Sequence, residues 1–466
     1  AAGGEMLLGE TSAGNPFPLW AGSAFGGHPR RVGDLRAVNA HWSARGDRIV
    51  YTTGRDVCVA NADGSGARVL FNGLEGEGHV TAPSFFDDDR RIRLQISRNN
   101  VDRLWDMNSD GTGLKPFLPD WHEAPLQADP AIAANGQYTA FIAGPNTFSW
   151  DLWFVRENSG ILGFRRPKPV RLTQGPLITT HPGFSPDGRR IFYLGDSGQT
   201  QLVRLNQHSG AWEPYLGGMN AFQLDFSRDG LWVTYVAPPG RSVWCSRIDG
   251  SEARRLTLPP LDVVNPRFSP DRSKVVFFGH LPGHETGIFI VPTVGGLATA
   301  LKPDSKGGVV EEPSWSPDNR KVLYGDGRLL WIIDIATQNT VSLPGSEGLR
   351  FPRWSPDGKY AAAPDAQSHL WLYRMADHKR TLLTKVGAGY PSWSQDGRYV
   401  YFENDACSVW YRVGIEDHKV EQVASLAGLR MPSASLGWVG IAPDGSVISS
   451  RDVSTRNIYA IDWELR

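Results

Sequence analysis

Short runs of alternating apolar and polar residues recur along the whole chain, each closed by a cluster of Pro, Asp, Asn or Gly. The stretch HPGFSPDGRRIFYLGD (181–196) is representative. Phe184 before the cluster and Ile191, Phe192 and Tyr193 after it are β-formers at a spacing that suits a half-buried strand. Between them, Ser185-Pro186-Asp187-Gly188 has turn chemistry. Proline presets φ at the second position, the short polar residues bond local backbone, and glycine accepts a left-handed exit. The pattern predicts two antiparallel strands joined by a tight hairpin.

The same template fits ten times. Its serine-equivalent position falls at Ser43, Phe86, Ala133, Ser185, Ser227, Ser269, Ser316, Ser355, Ser394 and Ala442, in steps of 39 to 52 residues. A period near 40 to 45 residues belongs to four-stranded propeller blades. Behind each hairpin a third strand carries a bulky residue at a fixed place: Trp105, Trp153, Trp244, Trp331, Trp371, Trp410 and Tyr459. A more polar fourth strand follows, as in PVRLTQG (169–175) and ARRLTLP (253–259). Sheets of this kind cover their faces by radial stacking, which makes the recurrent aromatics packing between neighbours. The predicted fold is all-β: about ten four-stranded blades and a partial N-terminal blade.

The ends bear on how the blades close. The last repeat shows three strands, ending in NIYAIDW (457–463), so its fourth must come from elsewhere. EMLLGE (5–10), PLWAGSAFGG (18–27) and PRRVGDL (29–35) look like strands two to four of a repeat, as expected of a piece of a longer protein. The longest step contains the basic, proline-containing insertion ENSGILGFRRPKP (157–169), which reads as a linker. If PVRLTQG supplies the outer strand of the tenth repeat, two tandem propellers result. Residues 1–156 are then an incomplete N-terminal propeller, 157–168 a linker and 169–466 a seven-bladed ring. One continuous ring is the alternative, but it lies outside the usual four to eight blades.

Composition adds exclusions. The net charge of −1 gives no reason to expect nucleic acid or an anionic membrane as partner, and no apolar run is long enough to span a bilayer. Cys58, Cys245 and Cys407 lie in separate repeats without metal spacing and read as buried free thiols.

The repeats resemble the WD40-like propeller repeats of the TolB family, with their W-S-P-D-G turn: FPRWSPDGKY (351–360) and PSWSPDN (313–319). LTQGPL, WEPYLGG, LDFSRDG, SLPGSEGL and RDVSTRNIYAIDW are further similar to the C-terminal half of a group of bacterial, especially acidobacterial, proteins. In many of these a winged-helix DNA-binding domain and a transmembrane segment precede the repeats. The resemblance implies an extracytoplasmic sensing or interaction module of a membrane-bound transcriptional regulator. It carries DNA binding onto no residue here, and it leaves a TolB-like envelope scaffold as an alternative.

Catalysis finds little footing. No Gly-x-Ser-x-Gly elbow occurs, and no cofactor motif stands out. A propeller-fold polyuronate lyase or glycosidase needs only a metal cluster or two carboxylates at one mouth. His280-Leu-Pro-Gly-His284-Glu285 is the nearest thing to a metal site, but Pro282-Gly283 breaks the helix that would align the imidazoles. Asp87, Asp88 and Asp89 replace the Pro-Asp-Gly of a hairpin tip and read as a solvated turn, and NADGSG (61–66) and NSDGTG (108–113) as hairpin turns rather than calcium loops. The expectation is a non-enzyme without cofactor or metal that recognises a partner protein, a peptide or a small ligand. Its candidate site is a column three residues before the motif aromatic: His181, Gln223, Asn265, Glu312, Phe351, Tyr390 and Trp438. Structural columns repeat their residue, whereas this one varies. It enters the innermost strand, where mixed polar and aromatic side chains would suit a peptide or small ligand at a channel mouth.

Overall fold

A computed structural model describes residues 5–8, 16–23, 26–72, 78–98, 101–146, 149–157, 168–237, 241–281, 286–302, 311–404, 408–432 and 438–462. These residues are strands and turns apart from one 3-10 turn at Leu216–Gly218. The hairpin tips show why the motif keeps Ser and Asp. Ser316 Oγ donates to Asp318 Oδ1 at 2.6 Å and accepts the Lys321 N–H at 2.9 Å, while Asp318 Oδ1 accepts the Arg320 N–H at 3.1 Å. Ser227/Asp229, Ser269/Asp271, Ser355/Asp357 and Ser394/Asp396 repeat the pair. The serine satisfies buried backbone that the turn would otherwise orphan.

The chain divides into two compact units, residues 1–197 with 455–466, and residues 198–454. The first contains five antiparallel sheets. Glu5–Leu8, Phe17–Ser23 and Arg30–Ala37 form a three-stranded sheet, followed by three four-stranded sheets over Asn39–Phe71, His79–Pro116 and Leu126–Arg171. The fifth combines Ile178–Phe184 and Arg190–Asp196 with the final strand Arg456–Asp462. Within this unit Arg93 is wholly buried. It donates to Asp106 at 2.7 and 3.0 Å, meets Glu157 at 2.5 Å and stands 3.5 Å from the Phe117 ring centroid.

The second unit is a ring of six four-stranded blades. Blade A joins Val439–Ile441 and Val447–Asp452 to Thr200–Leu205 and Trp212–Pro214. Blades B to F are consecutive in the chain: 222–255, 262–300, 311–342, 353–384 and 389–425. Apolar side chains interlock neighbouring blades: Val276 and Ile288 with Val322, Leu323 and Leu343 with Ala361, Ala362 and Leu372 with Phe402. Tyr401 and Trp410 of F pack with Val439 of A, and Leu202 of A with Leu224 of B, so the circle closes. The innermost strands of B and C also touch. The third-strand aromatics are packing, as expected: Trp153, Trp331 and Trp410 are buried.

The route to closure differs from the sequence expectation. The strand Val170–Arg171, from PVRLTQG, stays with the third repeat, where Arg171 pairs with Trp153 and Val170 with Phe154. Repeats four and ten exchange strands instead. The fourth keeps its inner two strands in the first unit, completed by Arg456–Asp462, and sends Thr200–Leu205 and Trp212–Pro214 to complete the tenth. The ring therefore has six blades, and the chain changes unit at 197/198 and 454/455, not at 157–168. Complementary side chains favour this pairing. Tyr193 stacks on Tyr459, Gly195 leaves room for the Tyr459 ring, and Arg190–Asp462 and Arg456–Asp196 pair at the two ends of the strand at 2.5 and 2.6 Å. Residues 158–167 of the proposed linker lie outside the described residues.

Candidate functional site

The variable column sits on a recurring β-bulge. Register shifts fall between Thr180 and Gly183, Phe222 and Asp225, Val264 and Arg267, Glu311 and Ser314, and Gly389 and Ser392. Each encloses one column residue and the following position, usually proline. His181, Gln223, Asn265, Phe351 and Tyr390 take left-handed φ of 51°, 53°, 52°, 46° and 40°. A bulge inserts one unpaired residue and re-aims its side chain. Proline tolerates the site because it brings no N–H to the ladder. Since Ala82 and Asp129 show the same φ region, at 47° and 46°, the conformation belongs to the scaffold, and only the side chain varies.

Five of the seven column residues form a linked arc in the ring. Asn265 N donates to Gln223 Oε1 at 3.0 Å and Asn265 Nδ2 to Glu312 Oε1 at 2.6 Å. Glu312 then pairs with Arg353 at 2.7 Å. Two residues before Arg353, the Phe351 ring meets Tyr390 at 5.5 Å between centroids and 41° between planes. Trp438 does not join the arc through these contacts; it packs with Leu202 and Leu224 at the A–B junction. His181 lies in the first unit, exposed, its N–H 3.4 Å from Asp129 Oδ2. Five of the seven are thus linked within the ring, and His181 belongs to the first unit.

Charged groups further along the innermost strands escaped the sequence reading. Arg353 reaches the carbonyls of Pro391 and Pro313 at 3.2 and 3.4 Å, tying three blades together. Asp225 accepts the Phe268 N–H at 2.8 Å. Burial pushes its carboxyl up, against the pull of Arg267 and Arg353. Arg267 is pushed down to about 10, first by burial and then by the charge of Arg353. Asp225, Arg267 and Arg353 all stand immediately before the motif aromatic, a column that reads Asp, Arg, Ser, Arg, Ser through blades B to F and could have been noticed.

Glu403, at the end of the second strand of blade F, had no sequence signal. It pairs in register with Gly389, and its Cγ lies 3.3 Å from where a Gly389 Cβ would stand. It is 9% exposed, and among the described residues its carboxyl has neither a hydrogen-bond donor nor a cation. Burial, and secondarily the Glu312 charge, push it up to about 7.

The remaining candidates resolve simply. Asp87 and Asp88 are exposed as expected, but Asp89 is buried and accepts the Ala44 N–H at 2.8 Å. The 61–66 and 108–113 segments are hairpin turns. His284 and Glu285 lie outside the described residues, as does Cys407; Cys58 and Cys245 are buried free thiols. Among the described residues no group of three His, Cys, Asp or Glu side chains is placed to hold a metal.

No protein-family model matches the chain. An uncharacterised protein of Agrobacterium fabrum is 29% identical over 166 residues, 33% of this chain and 57% of its own. The uncharacterised peptidase YuxL of Bacillus subtilis is 25% identical over 210 residues, 43% of this chain and 30% of its own. The chain therefore spans less than two thirds of either relative. Among solved structures, a protein of Agrobacterium tumefaciens assigned to TolB aligns with 55% of this chain and 99% of its own, at 17% identity and a TM-score of 0.45. TolB of Acinetobacter baumannii aligns with 74% and 80%, at 14% identity and a TM-score of 0.26. The structural neighbours are thus TolB-type propellers, and the blade sheets described above carry the fold assignment.

Proposed function

We propose that this chain is a non-enzymatic propeller module that binds an extended peptide, or a small ligand of similar chemistry, at the bulge-lined mouth of the six-bladed ring. The observation that supports this reading is the arc Gln223–Asn265–Glu312–Phe351–Tyr390. One scaffold feature, repeated blade after blade, there presents five different side chains instead of one repeated residue. Tyr390 is 50% exposed, and a rigid rim offering aromatic and hydrogen-bonding groups together is how preformed binding sites are built. An extracytoplasmic location and a place in a membrane-bound transcriptional regulator rest on the sequence resemblance alone; a TolB-like envelope scaffold would use the same mouth. No helix among the described residues is long and apolar enough to cross a membrane.

The test is selection of a displayed peptide library on the full chain, with the winners rebound to the Phe351→Ala/Tyr390→Ala variant and to Gln395→Ala on the hairpin-tip side. Binding lost in the first and kept in the second supports the reading. Equal binding to wild type and the double variant overturns it.

The Glu312 and Glu403 pair favours one other reading, a propeller-fold carbohydrate-active enzyme. Burial and the neighbouring Glu312 charge raise the proton affinity of Glu403, and a carboxyl so raised beside a second one is how acid–base pairs are built. Release of reducing ends or of unsaturated uronate from a glycan panel, abolished in Glu403→Gln, would establish that reading in place of the first.

A further inference from the structure

The charged groups coupled across blades B to F do not balance. Arg267 faces Asp225, and Arg353 pairs with Glu312. Glu403 is the third carboxyl, and it is the one without a partner among the described residues. A nearly buried, unpaired carboxylate is costly unless a cation arrives to meet it. Gly389, its partner in register, has no side chain, and the Glu403 stem and carboxyl lie 3.3 and 3.4 Å from where a Cβ would stand. Its reach is shown by Glu312, two blades away, which lies close enough for its charge to act on Glu403.

The blade between those two glutamates supplies Phe351, and its ring leans on Tyr390. Aromatic faces attract cations, above all where water is partly excluded. Phe351 already does so within this chain, with the Arg350 guanidinium 5.0 Å from its centroid. A single free carboxylate beside aromatic rings is a poor cage for a hard metal ion, which takes six or more oxygens. It is well matched to an organic cation.

We infer that the mouth takes an alkylammonium or guanidinium group, the basic side chain or free amino terminus of a bound peptide, held by Glu403 with Phe351 and Tyr390 as its aromatic wall. This deepens the binding reading above and rests on it. The charged groups facing the site are Glu312 and Arg353 from blades D and E, Arg350 on the rim, and Asp225 and Arg267 from blades B and C. Arg350 is the competitor: its charge lies where the incoming cation would approach the Phe351 ring.

The experiment uses calorimetry on the full chain with n-butylguanidinium and n-butylammonium as probes and n-butanol as neutral control. The cations should bind and butanol should not. Affinity should fall about tenfold from pH 8 to pH 6 as Glu403 gains its proton. Glu403→Gln, nearly isosteric, should weaken binding at least about tenfold and flatten that pH profile, while Arg350→Ala should leave binding intact or strengthen it. Butanol binding as well as the cations overturns the inference, as does a pH profile unchanged in Glu403→Gln. The second arm takes the library-selected peptides with basic residues replaced by glutamine and the amino terminus acetylated. Unchanged affinity there, lost in Phe351→Ala/Tyr390→Ala, defeats the cation and leaves the binding reading standing; binding untouched by that double variant defeats the binding reading itself.

Discussion

Tyr459, on the strand Arg456–Asp462, stacks on Tyr193, with ring centroids 5.5 Å apart and 19° between planes. This contact fastens the strand that repeats four and ten exchange. Tyr459→Ala should cost about 2 kcal/mol, the loss of a half-buried aromatic and its stacking partner. Gly195→Val should also destabilise, because a side chain there would begin 2.7 Å from the Tyr459 ring. Chemical denaturation of both variants checks this, with faster proteolysis near residues 190–196 as the local readout.

Glu403 makes stability depend on pH in a direction unusual for a glutamate. Its folded carboxyl is pushed up to about 7 from a usual 4.5, so the folded state binds the proton more tightly than the unfolded state. The penalty is therefore full above pH 7 and fades as pH falls from 7 towards 4.5. Glu403→Gln should stabilise the ring at pH 8 by up to about 3 kcal/mol, and the gain should vanish near pH 5. Unfolding curves of wild type and variant at the two pH values decide it.

Arg93 holds the first unit through two carboxylates and an aromatic face. Removing it leaves Glu157 without its cation and Asp106 with Arg91 alone, at 3.1 Å, so Arg93→Ala should cost about 3 kcal/mol. Arg93→Met in combination with Asp106→Leu and Glu157→Gln should recover much of the loss. Thermal unfolding of the single and triple variants measures both.

The hairpin motif predicts a smaller, repeatable effect. Trp315 Nε1 donates to the Arg267 carbonyl and Trp393 Nε1 to the Arg353 carbonyl, each on the preceding blade, at 3.0 and 2.9 Å. Trp393→Phe should cost about 1 kcal/mol with the ring packing kept. Ser316→Ala should cost a similar amount by orphaning the Lys321 N–H. Denaturant midpoints shifted without a change in slope would match a local loss of this size.

The blades were legible because each is a local hairpin array whose turn chemistry and strand periodicity repeat; Ser316, Asp318 and Trp331 announce their roles at fixed spacing. The bulge column was legible for the complementary reason, variation beside a steady proline. Blade closure was not. Whether Arg456–Asp462 pairs with Arg190–Asp196 or with Val447–Asp452 depends on contacts between strands far apart in sequence, which a repeat template scores equally. Glu403 was hidden for another reason: ten residues after the motif aromatic of its blade, it has no carboxylate counterpart at that position in blades A to E, and the space beside it depends on the absent side chain of Gly389.

The exchanged strand also imposes an order in time. A ribosome releases Ile178–Asp196 long before Arg456–Asp462, with all of blades B to F made in between. The inner pair of the fourth repeat must wait through that interval with an open hydrogen-bonding edge, which is an invitation to wrong partners. Meanwhile blade A cannot form until its own inner strands emerge at 439–452. Synthesis of residues 439–462 therefore completes one sheet in each unit almost together, and a chain halted before it would leave both sheets unfinished.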